Sequence, residues 1–105
     1  MHSSAAATLN LLDGSPSNAF ETILGSDDRT AQLQSLIELV EGTVPADAVL
    51  ASERLLTLCE LAEMCGELQQ VARCHRGRAR AFAYLGRYED AIAECQTGRA
   101  IAIRG

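Results

Sequence analysis

The sequence contains no lysine and no tryptophan, has only two prolines, and draws just 4% of its residues from the aromatic types. Each scarcity excludes something. Few aromatic and β-branched residues argue against a sheet, whose pleated surface those side chains fill. Both prolines, Pro16 and Pro45, lie in the first half. Nothing after residue 45 therefore interrupts a helix by removing an N–H or by ring clash. The cysteines at 59, 65, 74 and 95 form no C-x-x-C pair, and a zinc site needs converging ligands at a recognisable spacing. They read as reduced thiols in the core of a cytoplasmic protein, with no metal or cofactor expected. No apolar run approaches the roughly 20 residues of a membrane span. Residues 1–12 lack a basic n-region and Asn10 breaks their apolar character, so neither a signal peptide nor a membrane partner is expected.

What is present favours helices. Hydrophobic residues reach 48%, too many for a disordered chain, and most are Ala and Leu, which are strong helix formers. A length of 105 residues suits one small domain with a thin core. The net charge of −5 is unevenly spread: residues 1–67 sum to −9 and residues 68–105 to +4. An acidic front and a basic back can attract one another within a chain or between two copies.

Residues 1–25 read as a flexible N-terminal segment holding a short helix, capped by Ser17 or Asn18 and ended by Gly25. A helical domain is expected over residues 26–105. Ser26, Asp27 and Asp28 offer N-caps to a helix with Leu33, Leu36, Ile37 and Val40 on one face, stopped by Gly42. A second long helix is expected over 46–65, starting near Pro45 with Asp47 in its first turn. Its apolar residues cover more than one face, as in a helix held between neighbours. A third spans 67–85, with a stripe of Leu68, Val71, Ala72, His75, Ala79, Phe82 and Ala83. A fourth starts at Tyr88, with Ala91, Ile92, Cys95, Ala102 and Ile103 expected inside. Short connections between such helices make neighbours antiparallel.

Gly66-Glu67-Leu68 and Gly86-Arg87-Tyr88 repeat one pattern of turn followed by helix start. The segment Leu85-Gly86-Arg87-Tyr88-Glu89-Asp90-Ala91-Ile92 resembles the centre of a tetratricopeptide repeat (TPR), and Ala79, Phe82 and Ala91 fall on that pattern's small, aromatic and Ala positions. The resemblance covers residues 72–98 and departs from the pattern at His75, Arg78, Cys95, Gly98 and Ile103. It implies an all-α fold of four to five helices in stacked antiparallel hairpins. Gly66, Ala79, Phe82, Leu85, Gly86, Tyr88 and Ala91 would serve as packing residues, with the aromatic Tyr88 plugging the gap between helices. It also implies a protein-binding role, of the kind such repeats play in bacterial signalling and regulatory proteins. A plain helix bundle is the alternative.

No Gly-rich phosphate loop, G-x-S-x-G or H-E-x-x-H motif is present. His75 has no sequence-adjacent nucleophile or orienting acid and reads as a packed histidine rather than a general base, so no catalytic residue is expected. Arg73, Arg76 and Arg80 are spaced three and four apart and form one ridge, which Arg87 extends; Arg78 points elsewhere. The ridge is either a solvated face with ion pairs or a grip for an acidic protein or peptide, since guanidinium forks hold carboxylates in pairs. Basic–aromatic interleaving is absent, so nucleic acid is not an expected partner. The last helix carries more apolar residues than one face can hide, which points to a homo-oligomer or to further chain covering it. An interaction module is therefore the leading expectation. A self-associating dimerisation domain comes second, and a small helical ligand carrier or enzyme third.

Overall fold

The computed structural model describes residues 13, 14 and 16–104. Among the described residues from 16 onward, five helices follow in order: α1 (Pro16–Leu24), α2 (Arg29–Glu41), α3 (Ala48–Met64), α4 (Leu68–Tyr84) and α5 (Tyr88–Arg104). No strand occurs among the described residues. The reading of residues 1–12 lies outside them.

Local chemistry sets the helix ends. The Asp28 carboxylate accepts from the Ala31 N–H at 3.0 Å, and Asp47 accepts from Leu50 at 3.1 Å. Each satisfies one of the donors that a helix start leaves unpaired. Asp47 is thus the cap of α3 rather than part of its first turn, and Pro45 sits in the preceding turn. Gly66 and Gly86 have φ of +73° and +75°, where an L side chain is strained. Both close the same motif. The Glu67 N–H donates to the Ala62 carbonyl and the Gly66 N–H to Glu63, just as Arg87 donates to Phe82 and Gly86 to Ala83. Two identical reversals lay α3, α4 and α5 side by side as antiparallel hairpins.

The core is built mainly from α1 to α4, and Ile101 of α5 joins it. Ile23, Leu33, Leu36, Ile37, Val40, Val44, Leu55, Leu58 and Val71 are fully buried. Ala19 and Ile23 of α1 belong to this same cluster, so no break in packing falls at residue 25. Helix α4 packs against α2, α3 and α5. It buries Gln70, Val71, Ala72, Cys74, Gly77, Ala79, Ala81 and Phe82, covering two sides, while Leu68 and Ala83 of the expected stripe are exposed.

Helix α5 differs from its expected orientation. Ile92, Cys95, Ala102 and Ile103, read as inward, are exposed. The side facing α4 carries Ala91, Glu94, Gly98 and Ile101, spaced three, four and three apart. Glu94 can take an inner position because α4 supplies partners for both of its oxygens. Gly98 takes another because α4 passes very close. A Cβ on Gly98 would lie 3.1 Å from the Ala72 carbonyl oxygen and 3.1 Å from the His75 Cβ.

Candidate functional site

The α3–α4–α5 side of the molecule holds two features: a surface groove beside α5 and a polar cluster between the three helices. The expected arginine ridge divides between other tasks. Arg73 turns toward α2, with Nη2 2.9 Å from Glu41 and Nη1 3.6 Å from Glu38, and these carboxylates raise its pKa further. Arg80 lies over the Tyr84 ring at 5.8 Å. Arg87 pairs with Asp90 at 2.8 Å and covers the Phe82 ring at 4.7 Å. Among these four arginines only Arg76 reaches the groove, where it meets Arg99.

The groove has a volume of about 320 Å³ and runs between α4 and α5. Ala72, Gly98 and Ala102 line it with small side chains, and Gln69, Arg76, Cys95 and Arg99 complete it. Arg76 and Arg99 have no ion-pair partner among the described residues. Beyond the groove, α5 exposes Ile92 (57%) and Ile103 (77%). Tyr88 is 67% exposed and does not plug the gap between helices. At the first position of α5 its side chain leaves the hairpin, and Phe82, under Arg87 and 5.2 Å from the Arg78 guanidinium, is the buried aromatic at that corner. Of the other packing residues, Ala79 is buried, Ala91 half-buried and Leu85 exposed.

The polar cluster joins residues far apart in sequence. His75 of α4 places Nε2 3.4 Å from the Cys59 sulfur of α3 and Nδ1 2.5 Å from the Glu94 carboxylate of α5. Arg78 donates to the other Glu94 oxygen at 2.6 Å. The Cys59 thiol is 3.8 Å from Glu63, one turn on in α3. Glu94 can only accept, so Nδ1–H donates to it, and Nε2 faces the Cys59 sulfur. The His75 and Glu94 side chains are only 12% and 15% exposed, so water competes weakly for these bonds. Burial, reinforced by the Glu63 charge, pushes the Cys59 thiol up to about 12. Burial likewise raises Cys74 and Cys65, whereas Cys95 is exposed.

His75 thus has both the thiol and the orienting acid that its sequence neighbours do not supply. Cys59, Glu63 and Glu94 were not legible as a group, because each stands on a different turn or helix. A signal did exist. Cys59 and His75 lie at comparable distances on either side of Gly66, and His75 and Glu94 on either side of Gly86, so antiparallel hairpins bring them level.

Comparison with known protein families, curated proteins and solved structures finds no match to this chain. No helix among the described residues is long and apolar enough to cross a membrane.

Proposed function

We propose that this chain is a helical, TPR-like protein-interaction module that receives an acidic, apolar-faced helix or segment along α5. The α4–α5 groove carries the reading. It offers a small-residue floor on which a helix backbone can approach closely. It offers two arginines free to grip carboxylates, and an apolar border at Ile92 and Ile103. A helix in a groove anchored by apolar residues at turn spacing is a recurring mode of peptide recognition. The arginine grip is therefore assigned to Arg76 and Arg99 rather than to the whole ridge. A role inside a bacterial signalling or regulatory protein follows only from the TPR resemblance.

The test uses two labelled amphipathic helical peptides with the same apolar face, one acidic and one basic. Fluorescence anisotropy should show the acidic peptide binding the full chain, and Arg76→Glu with Arg99→Glu should abolish this and favour the basic peptide. Equal binding of both peptides to both proteins, or none, would reject the reading. Self-association is the second reading, favoured by the −9 and +4 halves. It requires a sedimentation coefficient that rises with concentration and falls back in high salt.

A further inference from the structure

We infer that Cys59, Glu63 and His75 form a binding site for a zinc-type divalent ion, with Glu94 as the outer carboxylate that holds the histidine. The three donor atoms lie within 4.8 Å of one another, and they come from two helices that an independent turn motif at Gly66 brings together. Cys59 and Glu63 are one turn apart on α3, so sulfur and carboxylate project from one face. His75 meets them from α4.

The geometry suits a tetrahedral ion. Zinc–sulfur bonds of about 2.3 Å and zinc–nitrogen bonds of about 2.0–2.1 Å at a tetrahedral angle separate the two donors by about 3.5 Å. The Cys59 sulfur and His75 Nε2 stand 3.4 Å apart. Glu63 is 3.8 Å from the sulfur and exposed, which leaves it free to swing inward and leaves an entry path from solvent.

The surroundings favour a ligand role for His75 over simple packing. A metal-binding imidazole characteristically donates its second N–H to a carboxylate, which fixes the ring and raises its basicity. Glu94 accepts in this way, and Arg78 clamps Glu94 in turn. Arg78 places a positive charge near the site, and its Nη1 is engaged with Glu94. One thiolate, one imidazole and one carboxylate make a mixed donor set that zinc accepts well, whereas calcium and magnesium prefer oxygen alone. On binding, the Cys59 S–H bond breaks, its proton passes to solvent, and the sulfur electron pair forms the bond to the ion; His75 enters neutral. Three protein donors leave one position for water.

The experiment titrates Co²⁺, then Zn²⁺, into the full chain kept reduced by a non-chelating phosphine. We expect one equivalent of Co²⁺ to produce a thiolate-to-cobalt charge-transfer band with the intense visible bands of a tetrahedral site, both erased by Zn²⁺. Cys95→Ser and Cys65→Ser should keep the spectrum, and Cys59→Ser should remove the charge-transfer band. Glu94→Gln should weaken Zn²⁺ binding by about 10–100-fold without removing that band. Because Cys59 is buried, its variant is checked for helix content by circular dichroism; if it unfolds, the decision passes to exposed Glu63→Ala, which should weaken binding while staying folded. No charge-transfer band in the native chain, a band lost with Cys95 instead of Cys59, or unchanged affinity in Glu63→Ala would overturn the site.

Discussion

Helices α3 and α5 are each 17 residues long and both pack on α4, yet α3 buries seven residues and α5 only two. Apolar content explains part of this, since α3 carries five leucines where α5 carries three isoleucines and four alanines. Position supplies the rest. α3 lies in the middle of the core cluster, to which α5 adds only Ile101, so more than one of its faces finds a neighbour. Among the described residues α5 lies outermost in the stack, and there only its Ala91–Glu94–Gly98–Ile101 side meets protein. A helix with a second apolar face is a core element in the first position and a candidate recognition surface in the second.

Truncating the two helices should separate them most sharply. Leu58→Ala in α3 removes a fully buried side chain and should cost about 2–5 kcal/mol, while Ile103→Ala, at 77% exposure, should stay within about 0.5 kcal/mol. Urea denaturation of both variants measures the contrast; equal losses would mean that the outer face of α5 is covered in solution. Next in size is Gly98→Ala. The added methyl meets the Ala72 carbonyl and the His75 Cβ, forcing α5 away from α4 at about 1–3 kcal/mol, and it should also perturb the His75–Glu94 pair, seen in the imidazole NMR signals. Gly86→Ala, at φ +75°, should cost about 1–2 kcal/mol by straining the turn that starts α5.

The smallest effect belongs to an ion pair on α3 that α5 does not share. Arg54 holds the Asp13 carboxyl below its ordinary value of 3.8, chiefly through their hydrogen bonds. A depressed folded-state pKa stabilises above the ordinary value, and that contribution is lost as pH falls through the lowered one. Asp13→Asn should therefore lower stability by at most about 1 kcal/mol at neutral pH, the pair being partly exposed, with the difference from the native chain vanishing in strong acid.

Much of the fold was readable residue by residue. Asp28 before its apolar stripe, and Gly66 and Gly86 before repeated helix starts, act within a few residues of chain, so their meaning does not depend on distant partners. The orientation of α5 was less accessible. Ile92, Cys95 and Ile103 are more apolar than Glu94 and Gly98, and hydrophobicity alone turns the helix the wrong way. Close approach at Gly98 and the paired oxygens of Glu94 outweigh it, and both depend on what α4 presents. The arginine ridge shows the same limit. Its spacing was plain, but Glu38 and Glu41 of α2 take Arg73, and Phe82 with Asp90 take Arg87.

Local chain chemistry alone decided that this protein is helical, where its helices begin, and that its last three rods reverse at two glycines, because caps and left-handed turns are short-range interactions. Only folding decided that Cys59, His75 and Glu94 would meet, that α5 would turn its isoleucines at 92 and 103 outward, and that Arg76 and Arg99 would share a groove. Those outcomes rest on which helices are neighbours and how closely they pass.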